Sequence, residues 1–109
     1  MRIGFVGGVE RNEADLRRIA RAAGHEVEVH PGHTGGRGTA AIERVVARCD
    51  VVLILVEVNS HGAVHTAKRT AQKYGRPAIV LRHCGPARFE RLLAELSTPV
   101  GLDRALRAA

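Results

Sequence analysis

The sequence predicts an α/β domain with a parallel sheet, and three observations predict it. Short β-rich apolar runs take turns with amphipathic helical stretches along the whole chain. One run, Val51-Val52-Leu53-Ile54-Leu55-Val56, is continuously apolar, as a strand buried on both faces is. Glycines at Gly7-Gly8, Gly24 and Gly75 punctuate the alternation where turns must fall. At 109 residues the chain matches one domain with one core.

Each element follows from local chemistry. Arg2 to Val6 is a short strand, β1, after which Asn12 with Asp15 three positions later is a variant capping box for a helix, α1. Leu16, Ile19, Ala20 and Ala23 form its apolar stripe, and Gly24 stops it. His25 to His30 alternates polar and apolar residues, which suits an edge strand, β2. Pro31 to Gly38 holds four glycines and a proline and reads as a loop.

Thr39 is then placed to cap α2, whose stripe is Ile42, Val45, Val46 and Cys49, and Val51 to Val56 is β3. Ser60 caps α3, which runs to about Tyr74 with an apolar stripe of Ala63, Ala67, Ala71 and Tyr74. Pro77 to Leu81 is β4, and Pro86 starts α4, with Phe89, Leu92, Leu93 and Leu96 facing inward. Right-handed crossovers then give a flavodoxin-like three-layer sandwich of four parallel strands in the order 2-1-3-4. Ligands gather at the strand carboxyl ends of such sheets, here beside β1 and β3. The tail from Ser97 to Ala109, with Val100, Leu102 and Leu106, is apolar enough to cover a core edge or a partner subunit.

Composition narrows the function. The longest apolar run is far below the roughly 20 residues of a membrane helix, and Met1-Arg2-Ile3 leads into a strand rather than a signal peptide, so a cytoplasmic protein is expected. Cys49 and Cys84 lie in unlike contexts and are expected to be reduced thiols. The net charge of +6 comes mostly from arginines that alternate along the chain with Glu10, Glu13, Asp15, Glu43, Glu90 and Glu95. That alternation reads as a solvated surface. With three aromatic rings and no tryptophan there is little for bases to stack on, so nucleic acid is not an expected partner.

Dinucleotide fingerprints, P-loops and phosphatase loops are excluded by spacing, and a receiver acid cluster by Gly7-Gly8 and Glu57 standing where β1 and β3 end. With no standard catalytic motif left, a binding role is expected rather than an enzymatic one. Histidine is what stands out. His30, His33, His61, His65 and His83 all fall at or just beyond strand ends, and only His25 lies opposite. His61, His65 and Lys68 share one face of α3 at i, i+4 and i+7.

His61, in the first turn of α3, is placed to offer an imidazole nitrogen to a metal as an axial ligand. A first-turn histidine is more often a plain surface residue, and Cys84 reads first as a small buried thiol. Gly7 and Gly8 permit a tight turn and could also offer amides to an anion, together with the Ser60 helix start, Lys68 and Arg82.

The stretches Val6-Gly7-Gly8 with Glu10-Arg11-Asn12, His30 before a glycine-rich loop, Ser60-His61 with Lys68, and Gly75-Arg76-Pro77 before Leu81-Arg82 resemble the bacterial family of domain of unknown function 2325. The resemblance covers Arg2 to about Leu93. It implies a compact Rossmann-like domain, often a homodimer, connected with binding of haem b and so with oxygen or redox sensing. Carried over by position, His61 is the histidine of the Ser-His pair, and of the histidines it is the one expected to ligate the iron. His30 precedes the glycine loop, while Lys68 and Arg82 match the helix lysine and the final-strand arginine. Arg37, Lys68 or Arg82 is expected to pair with the propionates, and His65, on the same helix face as His61, can point at the same ligand. The chain departs from the family in reading Val29-His30-Pro31 before the loop and in carrying Ala63 and Val64 after the Ser-His pair. The alternative expectation is a regulatory module that binds a nucleotide or phosphate anion at the strand ends.

Overall fold

Four parallel strands in the order β2-β1-β3-β4 form the central sheet, as the alternation of elements predicts. The computed structural model describes residues 1–8, 11–57, 59–98, 100, 101 and 103. In chain order the elements are β1 (Arg2–Val6), α1 (Glu13–Ala22), β2 (Glu26–His30), α2 (Gly38–Arg48), β3 (Val51–Leu55), α3 (His61–Lys73), β4 (Ala78–Leu81) and α4 (Pro86–Leu96). Leaving β1, the chain first adds β2 on one side and then crosses back to add β3 and β4 on the other. Right-handed crossovers in opposite directions must use opposite faces. Accordingly α1 packs with α4 on one face, and α2 with α3 on the other.

The two-residue period of the strands divides the core between these faces. Ile3, Phe5, Leu53 and Leu55 pack toward Leu16, Phe89 and Leu93. Val6, Val52 and Ile54 pack toward Ile42, Val46, Ala63 and Ala67. Phe5 and Phe89 meet edge to face, with ring centroids 5.2 Å apart. Every residue of β3 is buried, which is why its sequence lacks alternation. Cys49 and Cys84 are both buried free thiols, and burial pushes them up to about 12 and about 11 respectively.

Several local expectations change. Asn12 stands at the α1 N-cap but its side chain makes no capping hydrogen bond. Thr39 does not cap α2, because the helix already begins at Gly38, with Arg37 at the N-cap. Ser60 does cap α3, accepting from the Ala63 amide at 3.1 Å. Val56 lies past the end of β3 and is exposed. Tyr74 leaves the α3 stripe: it follows the last helical residue, so the helical period no longer aims it inward, and it is 49% exposed. Of the tail, Val100 is exposed, whereas Leu102 and Leu106 lie outside the described residues. No helix among the described residues is long and apolar enough to cross a membrane.

Candidate functional site

The carboxyl rim of the sheet is organised by Asn59, which the sequence reading passed over in favour of its neighbours Ser60 and His61. Asn59 Nδ2 donates to the Val6 carbonyl at 3.1 Å and to the Leu55 carbonyl at 2.7 Å, tying the ends of β1 and β3 together. Its Oδ1 accepts from the Ser60 amide at 2.9 Å. Two glycines make room for it. Gly32, at φ +97°, would place a Cβ 2.3 Å from Asn59 Oδ1, and Gly7, at φ +135°, would place one 2.9 Å from the Leu55 carbonyl and 3.3 Å from Asn59 Nδ2. Ser60 Oγ donates to the Gly32 carbonyl at 2.9 Å, so the glycine-rich loop is latched to the start of α3.

His30 belongs to this latch. It is buried, its Nδ1 accepts from the Gly32 amide at 3.0 Å, and its carbonyl accepts from the Gly7 amide at 2.9 Å. The His33 ring lies 5.1 Å from it, centroid to centroid. Burial lowers the pKa of His30 below the ordinary imidazole value, the charge of His33 lowers it further, and hydrogen bonding to the Gly38 backbone opposes both. His30 is therefore a neutral loop anchor whose ring is engaged internally. Thr34, from the same loop, faces Gly62, where a Cβ would stand 3.3 Å from the threonine methyl.

The remaining predicted residues fall into two groups. His61, His65 and Lys68 are exposed on α3, and among the described residues none of them has a hydrogen bond or ion pair. Arg37 is exposed at the N-cap of α2, at the end of the loop that begins beside His30. Arg82 lies elsewhere, on a cavity of about 120 Å³ lined also by Gly8, Asn12, Glu57, His83, Cys84 and Gly85. This cavity opens beside the α1 and α4 helix starts, neither of which has a side-chain cap. His83 is paired with Glu57 at 3.2 Å on the same rim. His30 and His61 thus share one rim through the Gly32 to Ser60 latch, whereas Arg82 faces the α1 and α4 layer and Lys68 the opposite one.

Among the described residues no group of three or more His, Cys, Asp or Glu side chains converges to hold a bare metal ion. Haem asks for less, because the macrocycle supplies four ligands and the protein needs only one or two. His61 and His65, exposed and free of internal partners, fit that requirement. Glu10, which lies in the first of the motifs above, is outside the described residues.

Fold and site together define a flavodoxin-like α/β domain whose carboxyl rim carries His61, exposed at the start of α3 beside the loop that His30 anchors. Residues 2–96 match the family DUF2325, described as an uncharacterized protein conserved in bacteria, and the chain belongs to that family. No match is found among curated proteins or among solved structures.

Proposed function

We propose that this protein binds haem b on the amino-terminal half of α3, with His61 as axial ligand, and serves oxygen or redox sensing in the cytoplasm. One observation carries the reading: the imidazoles of His61 and His65 stand exposed, one turn apart, with no internal partner among the described residues. An imidazole free of hydrogen bonds can turn a nitrogen lone pair toward iron without leaving a buried donor unsatisfied. Lys68, on the same helix face, and Arg37, beyond the glycine-rich loop, supply positive charge for the propionates. Since both histidines project from an exposed helix surface, a second copy of the chain is the natural cover, which makes the protein a homodimer in this reading. When bound, haem supplies the oxygen and electron chemistry, while the chain positions it and shields it from water.

Titration of the purified protein with haemin, followed by absorbance, tests this. A shifted Soret band that is lost in His61→Ala supports it, and a band that is absent or unchanged by that substitution overturns it.

A second reading has its own observation. The cavity at Arg82 sits between two helix starts without side-chain caps, where amides and dipoles favour an anion. In that reading Gly8 and Arg82 hold a phosphate. Gly7 and Ser60 drop out, since the Gly7 amide already donates to His30 and the Ser60 hydroxyl to Gly32. Thermal stabilisation by inorganic phosphate or nucleotides, but not by haemin, would select it.

A further inference from the structure

Charges that alternate along the chain separate in space. Helices α2 and α3, which cover one face of the sheet, carry Arg44, Arg48, Lys68, Arg69 and Lys73 against Glu43 alone. Helices α1 and α4, on the other face, also carry five basic residues, but against four carboxylates. Two of those arginines are already paired, Arg17 with Glu13 and Arg18 with Asp15. Among the described residues, only Arg48 on the α2 and α3 face has an ion pair, with Glu28 at the sheet edge. Arg44, Lys68, Arg69 and Lys73 are exposed and, among the described residues, unpaired. The positive charge of the folded regions is therefore concentrated on one layer.

The same layer holds the exposed aromatic residue. Tyr74 is 49% exposed at the end of α3 and borders a groove of about 190 Å³ with Glu43, Arg69, Thr70 and Lys73. Lys73 Nζ lies 5.5 Å from the centre of its ring. A π-face, a guanidinium and an ammonium are thus presented together with a carboxylate that can accept hydrogen bonds. α3 has 13 residues and runs about 20 Å, which spreads its cations along a track rather than at one point.

We propose that the α2 and α3 face binds single-stranded polynucleotide, with Arg44, Lys68, Arg69 and Lys73 along the phosphates and a base stacked on Tyr74. Phosphodiester backbone supplies regularly spaced negative charge for the track, and only the unpaired strand also offers an open base to the tyrosine. An anionic membrane fits less well, because a helix face that enters a bilayer presents several large apolar residues. Here Tyr74 is, among the described residues, the one exposed large hydrophobic residue on the layer. The Arg69, Lys73 and Tyr74 groove lies toward the carboxyl end of α3, away from His61 at its start, and only Lys68 is shared with the proposed haem face, so polynucleotide binding is tested without added haem.

Fluorescence anisotropy tests the proposal on the full chain without added haem. The probes are labelled DNA and RNA single strands of about 20 nucleotides, a duplex of the same sequence, and vesicles containing phosphatidylserine. The expected result is binding to single strands in preference to duplex, with log affinity falling against log salt at a slope of about −3 for four phosphate contacts. The DNA and RNA arms tell which sugar is preferred. Arg69→Ala with Lys73→Ala should reduce the slope to about half and weaken binding at least about tenfold at low salt. Tyr74→Ala should weaken it at least about fivefold without changing the slope, while Tyr74→Phe retains it. Arg88→Ala with Arg91→Ala, on the opposite layer, should leave binding intact. Binding to vesicles but not to oligonucleotides overturns the proposal. So do equal binding to duplex and single strand, or equal losses from the two double-arginine and arginine-lysine variants.

Discussion

Asn59 and Gly32 should behave as one energetic unit, and a double-mutant cycle measures whether they do. Asn59→Ala removes three hydrogen bonds, to Val6, Leu55 and Ser60. At about 1 kcal/mol each, the expected loss is about 3 kcal/mol. Gly32→Ala costs about 1 to 2 kcal/mol for its left-handed backbone. Its new Cβ would also stand 2.3 Å from Asn59 Oδ1, so the amide must leave and the same three bonds are lost. The single change should therefore cost about 4 kcal/mol. In the double variant the bonds are lost only once, so the total stays near 4 rather than the additive value of about 7 kcal/mol. A coupling of about 3 kcal/mol is large against a domain stability of about 5 to 15 kcal/mol. Urea unfolding of the four proteins, with equal m-values, reads it directly. Additivity to within about 0.5 kcal/mol would show that Asn59 does not hold the rim in solution.

Further outcomes follow from burial. Because His30 has a lowered folded-state pKa, its contribution to stability is complete above about pH 6.5 and is lost as the pH falls below that value. The drop in urea midpoint between pH 8 and pH 5 should accordingly be smaller in His30→Gln than in the wild type; an equal drop in both would contradict it. Cys49 and Cys84, raised to about 12 and about 11, should resist iodoacetamide at pH 8 in the native protein and react readily in urea, as mass spectrometry can follow. Phe89→Ala removes a fully buried ring packed edge to face on Phe5 and should lower stability by about 3 to 5 kcal/mol in the same urea assay.

The sheet order was legible because strict alternation leaves few right-handed ways to wind four strands, and the unbroken apolar run Val51 to Leu55 marks the central position. Ser60 was legible as a cap because a serine before a helix has one dominant use. Asn59 was not, since its partners Val6 and Leu55 are backbone carbonyls that no side-chain pattern advertises. Asn12 and Thr39 looked equally cap-like, but a cap depends on side-chain orientation, and α2 begins one residue before Thr39. The clustering of histidines at strand ends did place His30, His33 and His61 on one rim. It could not say that the His30 ring is engaged internally while those of His61 and His65 are free. Charge misled for a simpler reason: neighbours in sequence belong to opposite layers once α1 and α4 share one face and α2 and α3 the other.

Wedging one carboxamide between Gly7 and Gly32 leaves the crown of this domain no slack. Whatever docks on the opening turn of α3 meets a surface already set, and reshaping it would mean tearing the knot that fastens two strand tips. Affinity there need not be diluted by the entropy of ordering a loop, so a small ligand could be held with few direct contacts.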